Sequence, residues 1–265
     1  MVDVIINADD FGISDGVCLS IHDLLAAGAI SSTTIMVAAR GARRRFLSFR
    51  ARELGGRAGI HLQLTGGSPV SPSSDIPSLV NTYDGTFLDP RKGNTPNPDE
   101  VYREWQRQIE IGIEALGSPP THLDTHHGMH RRPDLFEIYI QLAYELGIPV
   151  RGALGDLGRA IRARAIPATV ALVRDWTGRS LGPDALLAQF NRTVAEAPHE
   201  QVVEVISHPG YVDDHLLAVS SLAEARADDH AALMALRTRG WPEIDGHTRS
   251  SFLKIWPPHL AWPDT

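Results

Sequence analysis

The chain has 265 residues with a formal net charge of −7, 43% hydrophobic residues and one cysteine. These values are typical of a globular protein, and we expect a single domain over residues 1–265. They argue against nonspecific nucleic-acid binding and a disulfide framework, and no membrane span or secretory signal is evident, so we expect a cytoplasmic protein without a nucleic-acid or membrane partner.

The first sixty residues alternate between strand and helix patterns. We predict strands at residues 2–6, 33–37 and 58–63. Between them we predict a helix that is capped by Ser14 or Asp15 and runs to about Ala27, and an arginine-rich helix that ends near Leu54. The basic run at positions 40 and 43–45 is interpreted as a solvated face of this second helix.

Residues 65–98 break this alternation. They contain two consecutive glycines and six prolines, and a loop of this length in a compact domain is usually functional, so we predict a lid or a substrate wall. After it, the pattern predicts a helix from about Asp99 to Gly117, a strand at 121–126, a helix at 133–146, and a short strand at 148–150 that ends at Arg151.

The later part of the chain has weaker patterns. Residues 152–200 indicate mainly helices, at 159–164, 169–175 and 184–196, whereas 201–206 indicate a clear strand and 220–239 one or two helices. The tail from Trp241 has no periodicity. The alternation of strands and helices predicts an α/β fold, a modified (β/α) barrel that is TIM-barrel-like, with irregular late segments.

Polar clusters follow the apolar runs of four predicted strands. They are Asp9 and Asp10, His61, the group His122, Asp124, His126 and His127, and His208. The carboxyl ends of barrel strands share one face, where active sites form, so we expect these clusters to border one pocket. Two histidines and a carboxylate are a recurrent ligand set for a catalytic metal, which the pocket would hold.

Strand alternation suggests how these side chains divide their roles. Residues 122, 124 and 126 share one face of the fourth strand, so His127 is expected to face away from the pocket if His126 faces it. Asp124 could accept the second ring N–H of a metal-binding histidine. Asp9 and Asp10 are expected to point to different sides, one towards a metal and the other free to accept a proton. Arg151 could contact substrate or form a structural ion pair.

Four ordered segments resemble the YdjC-like (ChbG/HpnK) carbohydrate deacetylases. The segments are Asn7-Ala8-Asp9-Asp10-Phe11-Gly12, Gly59-Ile60-His61-Leu62, residues 121–127, and Ser207-His208-Pro209-Gly210. The resemblance implies a barrel-like α/β fold, a divalent metal, a homodimer, and hydrolysis of an N-acetyl group on a sugar. Residue by residue it implies metal ligands at Asp10, His61 and His126, a general base at Asp9 and an acid at His208. One departure is Gly128, which stands where the family usually has a third consecutive histidine.

The sequence leaves several alternatives open. Another metal-dependent hydrolase, a phosphoesterase or an amidohydrolase, could use the same ligand set, and a non-catalytic carbohydrate-binding relative could keep the fold. The presence of Asp9, Asp10 and His208 argues against a binding protein, because binding needs no base opposite an acid. His208 precedes Pro-Gly, which is also a turn pattern. Two imidazoles favour zinc or a similar ion, whereas the resemblance also implies magnesium.

Overall fold

A computed structural model describes residues 1–153, 155–169, 171–197 and 201–256. The strands are β1 Asp3–Phe11, β2 Ser32–Ile35, β3 Ala58–Leu62, β4 Leu123–Thr125, β5 Val150–Arg151, β6 Ala168–Thr169, β7 Ala171–Val173, β8 Val202–Ser207 and β9 Thr248–Arg249. The helices are α1 Asp15–Ala26, α2 Ala42–Ser48, α3 Pro98–Leu116, α4 Pro133–Leu146, α5 Gly155–Ala163, α6 Pro183–Glu196, α7 Asp214–Val219, α8 Ala225–Thr238 and α9 Phe252–Ile255. Short 3₁₀ helices lie at Ala51–Leu54, Pro77–Leu79, Pro90–Lys92, His126–Arg131 and Glu243–Asp245.

The strands form a nearly closed parallel barrel. Their order is β6-β5-β4-β3-β2-β1-β8-β7, and β9 adds to β1. Strands β6 and β7 lie at opposite ends of this order but follow one another in the chain, so the sheet curves round until its two edges approach. The predicted barrel-like α/β fold is confirmed. None of the helices in the described ranges is both long enough and apolar enough to span a membrane.

The strand register brings the carboxyl ends of several strands to one edge. Ala8 pairs with Ser207 across β1 and β8, and Leu62 pairs with Thr125 across β3 and β4. Residues that follow these pairs therefore meet at the same end of the barrel. The strands themselves are buried on both faces, as expected for a parallel sheet covered by helices.

Helix boundaries agree with the sequence where capping signals are strong. The side chain of Ser14 accepts a hydrogen bond from the Val17 backbone N–H at the start of α1. Helix α4 begins with Pro133 and ends before Gly147, whose φ of 62° is left-handed. These signals are local in the chain, so the predicted bounds of α4 are confirmed to the residue.

Three sequence predictions are wrong. The helix expected at residues 169–175 is absent, since β6 and β7 occupy Ala168–Thr169 and Ala171–Val173 and close the barrel. Strand β1 continues to Phe11, so both aspartates lie within it and not after it. The basic run is not wholly solvated, because Arg45 is buried and donates to Asp15 and to the Gly12 carbonyl.

The segment 65–98 is irregular, as predicted, but it is anchored. The Glu104 carboxylate accepts hydrogen bonds from the backbone N–H groups of Val70 and Ser71, and Glu100 accepts one from Ser78. Both glutamates lie on the first turns of α3 and are buried. Carboxylates of α3 thus satisfy backbone donors of a segment that has little regular structure of its own.

Candidate active site

A cavity of about 720 Å³ opens at the carboxyl ends of the barrel strands. It is lined by most of the side chains that the sequence singled out: Asp9, Asp10, His61, His126, His127, Arg151 and His208. Asp124 does not line the cavity but contacts both His61 and Arg151 from below the surface. The predicted single pocket is therefore present, and it lies at the expected end of the barrel.

An irregularity in β1 turns two adjacent carboxylates to the same side. The pairing of β1 with β2 shifts register between Ala8 and Phe11, and Asp10 has a left-handed φ of 74°. In a regular strand neighbouring side chains point to opposite faces. Here both Asp9 and Asp10 line the cavity, so the expectation that they point to different sides is wrong.

Three donor atoms converge in a geometry that suits a metal ion. Asp10 Oδ1 lies 3.2 Å from His61 Nε2 and 3.3 Å from His126 Nδ1, and these two nitrogens are 3.3 Å apart. Asp10 Oδ1 is buried and has no hydrogen-bond partner among the described residues. An unpartnered carboxylate oxygen beside two ring nitrogens is the donor set of mononuclear catalytic sites. The residues present therefore fit a divalent cation.

Asp124 holds His61 in the orientation that this convergence requires. Its Oδ1 lies 2.6 Å from His61 Nδ1, and its Oδ2 accepts from the Thr34 hydroxyl at 3.1 Å. This leaves His61 Nε2 facing Asp10, as in sites where a carboxylate fixes the ring of a metal ligand. Burial alone lowers the pKa of His61, but Asp124 and Asp10 raise it to about 10, so the site favours positive charge.

Arg226 fixes Asp10 from the other side. Its Nη2 donates to Asp10 Oδ2 at 2.5 Å, and its side chain is almost completely buried on α8. Burial raises the pKa of Asp10, but Arg226 and the two histidines hold it well below its usual value. The carboxylate is therefore ionised, with one oxygen engaged and the other directed at the histidines.

Arg151 organises the charges at the base of the cavity. Its Nη1 and Nη2 donate to the two oxygens of Asp9 at 2.7 Å each, in a bidentate pair. The same guanidinium reaches Asp124 at 2.8 Å and Glu204 at 2.7 Å. Although burial raises the pKa of Asp9, Arg151 holds it well below its usual range. Of the two roles considered from sequence, the ion pair is the one that the geometry shows.

His208 also lines the cavity, on the side of Asp9. Its Nε2 is 3.7 Å from Asp9 Oδ2, and its Nδ1 is 3.0 Å from the Thr177 hydroxyl. Asp229 contacts that hydroxyl and accepts from the His208 backbone N–H at 3.1 Å. Burial lowers the pKa of His208 although Asp9 and Asp10 pull it upward. The protonated ring is therefore a stronger acid than a free imidazolium.

The remaining histidines differ from expectation. His127 lines the cavity and lies 2.8 Å from the Thr65 hydroxyl, so the prediction that it faces away is wrong. The reason is that β4 ends at Thr125 and His127 has a left-handed φ of 55°, which ends the strand alternation. His122 is buried outside the cavity lining and stacks on Phe252.

Four supporting residues were missed by sequence reasoning: Thr177, Glu204, Arg226 and Asp229. A signal existed for two of them. Arg226 and Asp229 are spaced on α8 so that they share the buried face with Leu233 and Leu236. Charged residues on an otherwise apolar helix face indicate buried partners. No comparable signal marks Thr177, which lies between β7 and α6.

The sequence is similar to those of several known proteins. A family model described as YdjC-like protein matches residues 3–243. The carbohydrate deacetylase of Brevibacillus brevis is 34% identical over 239 residues, which are 88% of this chain and 91% of that protein. The chitooligosaccharide deacetylase of Serratia marcescens is 31% identical over 219 residues, which are 81% of this chain and 84% of that protein.

The fold also resembles that of a solved structure. It is the crystal structure of a protein from Enterococcus faecalis that carries the name cellobiose-phosphate cleavage protein. The TM-score is 0.83 at 24% identity, with 96% of this chain and 98% of that chain covered. At this identity the likeness supports the barrel and carries no conclusion about activity.

Proposed function

Because this chain belongs to the family of YdjC-like proteins, we propose that it is a metal-dependent hydrolase that removes an N-acetyl group from an amino sugar or a short oligosaccharide. The observation that carries the proposal is the convergence of Asp10, His61 and His126 beside a second carboxylate, Asp9, and a histidine, His208, in one cavity. Two relatives named as deacetylases of carbohydrates supply the substrate class. One catalytic domain would carry the activity.

A divalent ion held by Asp10, His61 and His126 would act as a Lewis acid towards a carbonyl oxygen and would lower the pKa of water. Two imidazoles and one carboxylate favour zinc or a similar transition ion, and magnesium is the alternative that the resemblance implies. Asp124, Thr34 and Arg226 would keep the donor atoms in place, since each contacts a ligand or its orienting carboxylate.

The hydrolysis needs one proton to be accepted and one to be donated. In the proposed reaction, water attacks the acetyl carbonyl carbon while Asp9 accepts a proton from it. The C–N bond then breaks, His208 Nε2 gives its proton to the departing sugar nitrogen, and acetate and a free amine result. Arg151 holds Asp9 through both oxygens, so the base keeps one orientation during the reaction.

The test is acetate release from a panel of N-acetylated mono- and oligosaccharides. Metal-stripped protein would be reconstituted separately with zinc, magnesium, manganese and cobalt. We expect metal-dependent release, and we expect Asp9→Asn to lower kcat by about 10²- to 10⁴-fold with the metal retained, because it removes a base and not a ligand. His61→Ala is the matched variant, in which metal and activity should disappear together.

Two results would count against the proposal. Loss of metal in Asp9→Asn would reverse the assignment of base and ligand. No acetate from any sugar with metal still bound would favour the phosphoesterase, amidohydrolase or binding-protein alternatives. The cytoplasmic location and the homodimer remain predictions from the sequence.

A further inference from the structure

In the part of the chain that the structure describes, five histidines line the cavity, and one of them has no role in the proposed chemistry. His61 and His126 belong to the metal-binding cluster, and His208 is the proposed acid. His130 is paired through both ring nitrogens, with a threonine hydroxyl at 2.7 Å and a backbone carbonyl at 3.1 Å. The fifth is His127, whose function the reaction scheme leaves open.

The ring of His127 is held through one nitrogen and is open at the other. Its Nδ1 lies 2.8 Å from the Thr65 hydroxyl. Among the described residues, its Nε2 forms no hydrogen bond. The residue is exposed and borders the cavity, so this second nitrogen is free to bind a ligand as a donor or an acceptor.

Thr65, which holds this ring, is itself fixed by a buried side chain. Gln63 donates from Nε2 to the Thr65 carbonyl at 3.4 Å and to the next carbonyl at 3.2 Å. Its Oε1 accepts from the Ala38 backbone N–H at 3.0 Å. A Cβ atom at Gly67 would lie 2.1 Å from the Ala38 carbonyl oxygen, so only glycine allows this close approach to the barrel. The Thr65 hydroxyl therefore has one position from which it orients His127.

His127 lies beside the metal-binding cluster without belonging to it. Its ring centroid is 3.8 Å from that of His126. The groups of converging donor atoms among the described residues include His126 and not His127. The backbone that directs His127 into the cavity has a left-handed φ of 55°, which few residues other than glycine adopt and which occurs preferentially at functional sites. A group bound by His127 would therefore be the neighbour of the acetamido group bound at the cluster.

From these contacts we propose that His127 binds the substrate through Nε2, as the hydrogen-bond partner of the sugar hydroxyl next to the acetamido group, and that Thr65 is its positioning residue. This deepens the proposed function, on which it rests, by assigning a residue that recognises the sugar. A hydroxyl group both donates and accepts, so it pairs with either neutral tautomer of the ring.

The chemistry of the substrate class indicates which hydroxyl this is. In a 2-acetamido sugar the hydroxyls next to the acetamido group are those on C1 and C3. In a 1,4-linked oligosaccharide the C1 oxygen of every sugar except the terminal one is part of a glycosidic bond. The 3-hydroxyl is therefore the neighbour that monosaccharides and oligosaccharides share, and it is the group assigned to His127.

The first experiment compares kcat/KM for acetate release from N-acetylglucosamine and from its 3-deoxy and 6-deoxy analogues, on metal-loaded wild type and His127→Ala. We expect the wild type to lose about fivefold with the 3-deoxy sugar, the net contribution of one hydrogen bond. His127→Ala should lose about as much with N-acetylglucosamine and nothing further with the 3-deoxy sugar. Losses that multiply in the 3-deoxy sugar, or a coupling to the 6-hydroxyl instead, would overturn the contact and leave the proposed function intact.

Two further variants guard against a structural explanation. His127→Gly also removes the ring but suits the left-handed backbone, so it gives the same kinetic answer if the alanine variant does not fold. His247→Ala is the matched control, because His247 Nδ1 accepts from the Val2 backbone N–H at the amino end of β1 and should leave kcat/KM unchanged for all three sugars. Loss of bound metal in both His127 variants would indicate a structural role and overturn the proposal.

The role of Thr65 has its own test. Thr65→Val leaves the His127 ring in place but without its hydrogen bond, so KM for N-acetylglucosamine should rise, by less than in His127→Ala, with kcat little changed. Thr65→Ser keeps the hydroxyl and should restore KM. A fall in kcat alone, or no recovery in the serine variant, would overturn the positioning role.

A binding measurement separates the two proposals if no sugar releases acetate. Calorimetry would compare N-acetylglucosamine with its 3-deoxy analogue on metal-loaded wild type and His127→Ala. Weaker binding of the 3-deoxy sugar to the wild type, with no such difference in His127→Ala, would support the contact while the deacetylase proposal fails. Equal binding of the two sugars by the wild type, or the same difference in both proteins, would overturn the contact as well.

Discussion

The two sides of the cavity are built from different kinds of sequence. One side is formed by β1, β3 and β4 and carries the converging donors Asp10, His61 and His126. The other side is formed by β5, β8 and α8 and carries Arg151, Glu204 and Arg226, with His208 just after β8. The first side supplies the atoms that would bind a metal, whereas the second fixes the ionisation and orientation of the carboxylates. Short motifs in the sequence reveal the donor residues of the first side and His208, but not Glu204 or Arg226.

The largest expected effect comes from removing the centre of the second side. Arg151→Met would leave Asp9, Asp124 and Glu204 buried without their shared partner, so the free energy of unfolding of the metal-free protein should fall by about 3–5 kcal/mol. Urea denaturation would measure it. Arg226→Met is the matched variant, equally buried but paired with a single carboxylate, Asp10, and should lose less. Equal decreases in the free energy of unfolding would show that the number of paired carboxylates does not determine the loss of stability.

A smaller effect is expected where the two sides meet at Asp124, which contacts both His61 and Arg151. Asp124→Asn should weaken metal binding about tenfold or more, because it removes the charge that orients His61 and favours its role as a ligand. Competition with a chelator would measure the affinity. Asp84→Asn, in the exposed part of the loop, should leave it unchanged. Unaltered affinity in Asp124→Asn would mean that His61 needs no orienting charge.

The next effect should appear in turnover alone. Thr177→Val removes the hydroxyl between Asp229 and His208, so we expect kcat to fall about tenfold with metal affinity unchanged. This is less than the full contribution of about 10²- to 10⁴-fold of a positioned acid, because His208 itself is retained. Thr177→Ser keeps the hydroxyl and should restore most of the loss. A fall in metal affinity, or failure of the serine variant to recover activity, would argue for a structural role of Thr177.

The smallest effect is expected at Tyr139, which links β4 on the first side to β5 on the second. The Tyr139 hydroxyl lies 2.6 Å from the Leu123 carbonyl on β4 and 2.9 Å from the Arg151 carbonyl on β5. Tyr139→Phe should lower the free energy of unfolding by about 1 kcal/mol, the net contribution of one buried hydrogen bond. Tyr144→Phe, with an exposed side chain on the same helix, should cause no measurable loss. Equal stabilities of the two variants would contradict this account.

The fold was predictable where the information is local. Helix α4 was found to the residue because Pro133 and Gly147 mark its ends in the sequence itself. The segment at 169–175 was assigned to a helix because a run of three apolar residues, Ala171–Val173, is too short for its period to distinguish strand from helix. Its strand conformation is set by pairing with β8, about thirty residues away in the chain. The periodicity of a short segment contains no information about such a distant pairing.

The residues of the site also differ in how well they could be predicted from the sequence. The positions of His61 and His126 at the cavity were predicted because the carboxyl ends of barrel strands share one face. The partner of Asp10 was not found, because Arg226 is 216 residues away and reaches it only through the closure of the barrel. The side on which Asp9 and Asp10 point was mispredicted because a register shift in β1 leaves no recognisable mark in the sequence.

At position 10, the residue type that best suits the backbone conformation differs from the one that the cavity chemistry needs. A left-handed φ of 74° in a residue other than glycine costs of order 1–3 kcal/mol, and glycine would adopt it without this penalty. Selection for stability alone would therefore favour glycine at position 10. A carboxylate there indicates that the residue has been chosen for the atom it delivers to the cavity, and that the rest of the barrel is stable enough to tolerate the strain.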